Sequence, residues 1–314
     1  TSPSPVCLRS SPRSIDLPDL RLPPGEGRRI RQRRVNLRSR MTTPLGQLPA
    51  GHTTDAFDRI ASSFDQVVVR NPINAWMREV NSAILRATFA AGGHLLEMGC
   101  GTGTEAIDLA RRGCSVFAFD LAPGMVAKAR EQALAAQVTD RLTIVQGRTA
   151  DLLAVVGQSP WRTFDGAYAN FTLTYEDDLR ALAVSLAAVL KHGARFVCAV
   201  PNRLVLSEVL LYVPLLRFPQ VLWRFARPLR KDVHGVVLEI HAYSPWQVRD
   251  AFRESFNLER LVGVPTFLPP VYLHAQYRRL GAGHEVFEWL DARLAGRLPW
   301  NRLGEHTLFV FRRK

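Results

Sequence analysis

The chain has 314 residues, nearly half of them apolar, so it can bury a sizeable core and global disorder is excluded. Its net charge of +13 is uneven: residues 1–40 hold ten Arg, no Lys and three acids (Asp16, Asp19, Glu26), and so carry +7. The remaining body is only mildly basic, which weakens a nucleic-acid reading resting on overall charge. The four cysteines, Cys7, Cys100, Cys114 and Cys198, have neither zinc-like spacing nor the density of a disulfide framework. No metal site is expected, and a reducing, cytoplasmic setting fits.

Residues 1–50 are rich in Pro, Ser and Arg and show no hydrophobic periodicity, a composition that does not order itself. The run RRIRQRRVNLRSR at 28–40 has the character of a nucleic-acid or targeting segment. Met41 is the first methionine, and we read residues 1–40 as preceding the natural start or as functionally inert.

From 55 to 89 the spacing predicts helix. Phe57, Ile60, Ala61 and Phe64 share one face, Pro72 interrupts, and Trp76, Val80, Ala83, Ile84 and Ala87 continue the pattern. Gly92 and Gly93 end it. Strands and helices then alternate: strand 95–98, helix 104–112, strand 115–119, helix 124–137, strands 142–146 and 164–170, helix 178–190, strand 195–200. This order predicts a doubly wound, mostly parallel α/β sheet with ligands at the C-terminal strand ends. The run 204–229, LVLSEVLLYVPLLRFPQVLWRFARPL, breaks the alternation. Pro214, Arg217 and Pro219 make it a poor membrane span. It reads as an inserted pair of helices, a cover for a hydrophobic acceptor, with core packing and shallow membrane contact as the other readings. A helix at 244–254 and strands at 258–264 and 307–312 close the chain.

The chemistry is concentrated in HLLEMGCGTG at 94–103. A strand, a glycine turn and a helix bring backbone N–H groups to a nucleotide-like ligand. Gly99, Gly101 and Gly103 form GxGxG, with Thr104 where a dinucleotide fingerprint has its third glycine, and no GK[ST] follows. Asp120 ends the next strand, where a carboxylate can accept from both ribose hydroxyls. Glu97, just before the turn, suits a ligand carrying an ammonium better than one carrying a pyrophosphate. Adenosine joined to an amino acid is S-adenosylmethionine.

LLEMGCGTG, FAFDLAPGMVAKAR, FDGAYANFTLTY and VLKHGARFVCAV follow one another as do the motifs of class I S-adenosylmethionine-dependent methyltransferases, which the chain resembles from about 54 to 201 and more loosely beyond. The resemblance implies a Rossmann-like, seven-stranded sheet with a reversed C-terminal hairpin; from the residues we read one domain running from 51 to 314, with 204–243 as a substrate-covering insertion. It also implies roles. Gly99, Cys100, Gly101 and Gly103 would line the methionine portion by backbone, and Glu97 would help place its ammonium. Asp120 would hold the ribose, Leu121 and Met125 would cover the adenine, and Asn170 and Phe171 would face the reacting methyl. Where the family often has Gly-Asp-Ala, this chain has Gly147-Arg148-Thr149-Ala150, which leaves the adenine to be read at Thr149, Ala150 or Asp151.

Methyl transfer needs in-line positioning, plus a base if the acceptor holds a proton. His234, His241 and Tyr243, just after the insertion, are the weak candidates for that base, and Tyr175 is similar. The expected activity is O-, N- or C-methylation of a small or lipid-like acceptor. The rival readings are an RNA or protein methyltransferase using the basic segments and a non-catalytic scaffold with the same fold.

Overall fold

The computed structural model describes residues 53–314 apart from 226–228, 234–235, 275–276 and 278–282. The expected basic segment at 1–50 and His234 therefore lie outside the described residues.

Three helices lead in: α1 (Thr53–Ile60), α2 (Phe64–Arg70) and α3 (Pro72–Thr88). Pro72 starts α3 rather than merely interrupting a helix. It occupies the first turn, where a missing N–H costs nothing, and the Asn71 side chain accepts from Ile73 N at 3.1 Å and Asn74 N at 3.3 Å.

The alternating segment then forms β1 (His94–Met98), α4 (Thr104–Arg111), β2 (Ser115–Asp120), α5 (Pro123–Ala135), β3 (Leu142–Gln146), the short α6 (Leu152–Val156), β4 (Phe164–Asn170), α7 (Leu179–Val189) and β5 (Leu190–Pro201). After it come α8 (Leu206–Tyr212), α9 (Phe218–Leu222), β6 (Leu229–Val233), β7 (Val236–Ile240), α10 (Pro245–Phe252), β8 (Phe256–Val264), α11 (His284–Leu294) and β9 (His306–Arg313).

Seven strands form one sheet in the order β3-β2-β1-β4-β5-β9-β8. The first five run parallel, and β9 enters antiparallel between β5 and β8. This is the doubly wound sheet that the alternation predicts, with the reversed C-terminal hairpin that the resemblance implies. One sheet face carries Leu96, Met98, Phe117, Phe119, Phe196, Phe309 and Phe311 against apolar residues of α6, α7 and α10. The alternate positions Leu95, Val116, Ala118 and Tyr168 are buried on the other face, where Phe89 meets Tyr168 at 6.0 Å between ring centres. Near-continuous apolar strands of this kind are what a parallel sheet covered on both sides requires.

Residues 204–243 differ from the expected helical insertion. The two helices α8 and α9 are present, but the second half is the β6–β7 hairpin, a separate two-stranded sheet. Leu229, Leu238, Ile240 and Ala242 pack with Ala56 of α1, and Phe57, Tyr175 and Trp223 close the cluster. The hairpin, not the helix pair, meets α1 at the end of the sheet where the glycine turn lies.

Candidate active site

The parallel strands β1, β2 and β4 all end at the same edge, so their C-terminal residues converge. Gly99 N and Cys100 N both donate to Phe119 O, at 2.8 and 3.0 Å, which folds the chain back across the end of β2. The turn then needs left-handed backbone at Gly99, Gly101 and Gly103, with φ of +70°, +53° and +82°. Their surroundings differ. A Cβ on Gly99 would lie 2.1 Å from Thr172 Oγ1, and one on Gly103 would lie 3.1 Å from the Ala129 Cβ of α5. Gly101 is open, with Phe64 at 4.0 Å its nearest neighbour, so this is where a ligand can approach the backbone. Gly103 caps α4 without a side-chain acceptor, which leaves the first N–H groups of that helix facing the turn.

Asp120 spans this turn. Its Oδ2 accepts from Gly101 N at 2.8 Å and its Oδ1 from Ala122 N at 3.0 Å. Burial raises its pKa, and the backbone donors at Ala122, Gly101 and Leu121 act against that rise. Each oxygen keeps a second lone pair for a ligand hydroxyl.

Glu97 is 2% exposed on β1, in register with Tyr168 on β4. Burial holds its pKa well above the ordinary carboxylate range; the nearby Glu105 charge adds to this, and Tyr168 opposes it. Its Oε2 and the Tyr168 hydroxyl have no partner besides each other, and the side-chain amide of Asn170 at the end of β4 has none. Buried polar groups are usually paired, so this concentration at one strand edge marks a place for a polar ligand. A ligand with an ammonium, a ribose and an apolar base fits such a set: an acid beside the turn, a carboxylate with free lone pairs and an open glycine.

The other expected positions fall around this centre. Cys100 is buried, and burial with the nearby acids pushes its thiol well up, so its backbone is the useful part. Leu121 follows Asp120 and its carbonyl accepts from Gln146 Nε2 at 3.1 Å. Met125 is buried against Ile60, Ala61 and Ala122, with Phe57 and Phe64 around it. Thr149, Ala150 and Asp151 form one short 3-10 turn beyond β3. Arg148, just before that turn, has its charge beside the Glu176 carboxyl, whose pKa is raised by burial and drawn back by Thr149 and Arg148. Phe171 adopts φ +59°, rare for a side-chain-bearing residue, and its ring meets His306 edge-on at 5.0 Å.

The base candidates are engaged in fastening the hairpin. His241 Nε2 pairs with Asp177 Oδ1 at 2.7 Å, and the Tyr243 hydroxyl donates to the Glu176 carbonyl. His241 N donates to Thr174 O at 2.7 Å and Thr174 Oγ1 donates back to His241 O at 3.0 Å. Tyr175 stands edge-on to Phe57 at 5.7 Å, and burial next to the Asp120 charge pushes its hydroxyl far above neutrality. It is therefore a wall of the site and no base at neutral pH.

Sequence reasoning missed the fasteners contributed by α1 and α2. Asp58 Oδ1 accepts from Gly124 N at 2.7 Å. Asp65 accepts from Thr102 Oγ1 at 2.6 Å and Gln132 Nε2 at 2.7 Å. These carboxylates hold the leading helices across the glycine turn and the start of α5. Asn81 was also missed. It lies on the apolar face of α3 and is buried with both amide atoms unpartnered, and a polar residue in register with Met77 and Ile84 was the available signal. Among the described residues no cluster of His, Cys, Asp and Glu could hold a metal, and no helix is long and apolar enough to cross a membrane.

Removing the left-handed freedom of Gly103 should show on stability. Gly103→Ala meets Ala129 at close range and adopts an unfavourable φ, so we expect a loss of about 2 kcal/mol in chemical denaturation. A loss indistinguishable from zero would contradict the packing described.

Comparison with known proteins gives a consistent result. A family model described as a methyltransferase domain matches residues 95–193. A demethylmenaquinone methyltransferase of Tropheryma whipplei is 31% identical over 210 residues, covering 65% of this chain and 80% of that protein. The enzyme of the same name from Symbiobacterium thermophilum is 29% identical over 154 residues, 47% of this chain, and the chain spans 58% of that relative's length. Among solved structures, a chain from the complex of the Haloferax volcanii Trm112 methyltransferase activator with a methyltransferase superposes with a TM-score of 0.52 at 18% identity, covering 82% of this chain and 96% of that one. This last likeness bears on the fold alone.

Proposed function

The chain belongs to the class I S-adenosylmethionine-dependent methyltransferase family, and from that premise we propose that it methylates a small, largely apolar acceptor. The observation that carries this reading is the glycine turn closed by Asp120, with Gly101 left open to a ligand. S-adenosylmethionine supplies an electrophilic sulfonium methyl; the chain supplies position and surroundings. In our reading Asp120 receives the ribose hydroxyls, the Gly99–Gly101 backbone and Glu97 receive the amino-acid end, and Leu121 with Thr149 and Ala150 borders the adenine. Asn170 and Phe171 border the transfer site.

The apolar acceptor is favoured by what surrounds the transfer site. Phe171, Tyr175 and Phe57, with the hairpin cluster behind them, offer ring faces and few hydrogen-bonding groups. Two relatives named for demethylmenaquinone point to the same class of acceptor. His241 and Tyr243 support the hairpin in this reading rather than acting as bases. The direct test is methyl transfer from labelled S-adenosylmethionine to demethylmenaquinone and to simple hydroquinones and phenols. No product from any of them, with cofactor binding intact, would remove the acceptor class and leave the family assignment in place.

Two variants test the cofactor roles. Gly101→Ala has room for its Cβ, so it should cost only about 1 kcal/mol of stability from its φ. The same methyl stands where the ligand approaches, so S-adenosylhomocysteine affinity should fall about tenfold or more. Unchanged affinity would place the ligand elsewhere.

Glu97 gives a pH signature. Its folded-state pKa lies above its unfolded value, so the protein loses stability as pH rises through the interval between them. Glu97→Gln should therefore raise the midpoint of thermal unfolding at neutral pH while weakening cofactor binding. An ammonium bound beside Glu97 favours its charged form, so binding should release a proton and strengthen with pH through the same interval. Calorimetry over a pH series that starts at the ordinary carboxylate range and rises from it, in buffers of different ionisation enthalpy, should detect that proton in the wild type and not in the variant. Equal heats in all buffers would remove Glu97 from the ammonium site.

A further inference from the structure

The α8–α9 segment exposes what a globular protein normally buries. Every residue from 213 to 220 is exposed. Leu210, Leu215, Leu216, Phe218, Leu222 and Phe225 form its apolar surface, with Leu216 77% exposed. Single exposed apolar residues need no explanation, but a run of this length does.

Two further features say what the tip is built to meet. The first is its backbone. Val213 N donates to Val209 O, Leu215 N to Tyr212 O, Leu216 N to Val213 O and Arg217 N to Tyr212 O, while Pro214 and Pro219 have no N–H to satisfy. From 213 to 217 every N–H is thus bonded inside the tip. N–H groups already bonded inside the tip lower the cost of bringing it into a water-poor layer. The second is charge. The sequence from 209 to 231 holds five basic residues and no acid. Arg224 is buried and paired with Glu208 and Glu305, and Arg217 is the exposed cation within the tip; Arg227, Arg230 and Lys231 follow in the sequence before the next acid, Asp232.

We propose that the 210–225 tip is a membrane-docking wedge that inserts shallowly into the interface of a bilayer bearing anionic lipid headgroups. Leucine and phenylalanine enter the acyl boundary, and Arg217 meets the headgroups, as in interfacial amphipathic segments. A second copy of this chain is a poorer occupant, because a two-fold contact would set one basic stretch against another. The inference extends the reading of an apolar acceptor by placing the enzyme where such an acceptor partitions. It needs neither acceptor nor turnover to be tested, so its failure leaves that reading standing.

The experiment is flotation of the full chain with vesicles of phosphatidylcholine alone and of phosphatidylcholine mixed with phosphatidylglycerol. The wild type should float with the mixed vesicles and weakly or not at all with the neutral ones. Leu215→Ser/Leu216→Ser/Phe218→Ser changes only exposed side chains and should keep wild-type thermal stability and S-adenosylhomocysteine affinity. Its partition onto mixed vesicles should fall by about thirtyfold. Arg217→Glu should weaken binding less and make it less sensitive to salt. A wild type that does not float would overturn the proposal. So would a triple variant that floats as well as the wild type, because binding would then belong to the basic 1–40 segment. A wild-type dimer that the triple variant converts to monomer, without vesicle binding by either, would assign the tip to a second copy and also overturn it.

Discussion

Asp120→Ala should lower S-adenosylhomocysteine affinity by about a hundredfold or more, the largest effect expected of any single substitution at the cofactor site. The carboxylate has two jobs in our reading. It accepts from Gly101 N and Ala122 N, which holds the glycine turn against the end of β2, and its remaining lone pairs face the ribose. Hydrogen bonds to a charged acceptor contribute about 1.5–3 kcal/mol each, so losing the ligand's pair and loosening the turn reaches that range. Asp120→Asn separates the two jobs. The amide keeps one carbonyl acceptor but brings an N–H₂ toward a backbone donor, so it should bind with a loss between those of wild type and alanine. Calorimetric titration with S-adenosylhomocysteine measures both, with circular dichroism to confirm the fold. An alanine variant that binds within a few-fold of wild type would remove Asp120 from the cofactor site.

The turn and its acid were legible because each part is local. A strand, three glycines at two-residue spacing and a helix occupy consecutive residues, and Asp120 ends the next strand in the same register. The pairing of Glu97 with Tyr168 was not legible, since it depends on β1 and β4 lying side by side although 65 residues of chain separate β1 from β4. Asp58 and Asp65 were invisible for the same reason. A carboxylate on a solvated-looking helix gives no sign that it will accept from Gly124 or Thr102.

Two other misses have physical causes in the pattern itself. LRKDV and VVLEI follow a long apolar run, and their alternation is too short to stand out from it, so the sequence gives no sign of the β6–β7 hairpin beyond the helix pair expected at 204–229. The helix α11 is inside out. It exposes Val286 and Trp289 and buries Asp291, whose carboxylate accepts from Thr266 N at 2.6 Å, Phe267 N at 3.1 Å and Leu268 N at 3.0 Å. Hydrophobic periodicity assumes that apolar residues face in, and here a capping carboxylate takes that place. Arg148 stands where the resemblance leads one to expect an Asp; its charge lies beside Glu176, and the Thr149–Asp151 turn, where the adenine is expected to be read, follows it.

Arg224→Ala should be the most destabilising substitution in the described part of the 204–243 region. Arg224 donates to Glu208 at 3.0 Å through Nε and at 2.9 Å through Nη2, and reaches Glu305 at 3.3 Å. Glu208 also accepts from Trp223 Nε1 at 3.3 Å, and Glu305 accepts from Val271 N at 3.0 Å. One guanidinium thus neutralises two carboxylates that are 1% and 6% exposed, and it joins α8, the turn after α9 and the start of β9. Taking it away leaves two buried charges facing each other, which costs about 3–5 kcal/mol and lowers the unfolding midpoint by about 10 °C in a domain of this size. The cost arises from the uncompensated acids rather than from the lost pair. Combining Arg224→Met with Glu208→Gln and Glu305→Gln should therefore recover most of the loss, even though no ion pair remains. Recovery by that triple change, with a single Arg224→Met as unstable as alanine, is the expected pattern in differential scanning calorimetry. If Arg224→Ala unfolds like the wild type, the node does not hold α8 to the sheet edge. If instead the triple variant is as unstable as alanine, the guanidinium acts by packing rather than by charge. The same node sets the base of the exposed apolar tip, so Arg224→Ala should also weaken vesicle binding without altering any apolar side chain of the tip.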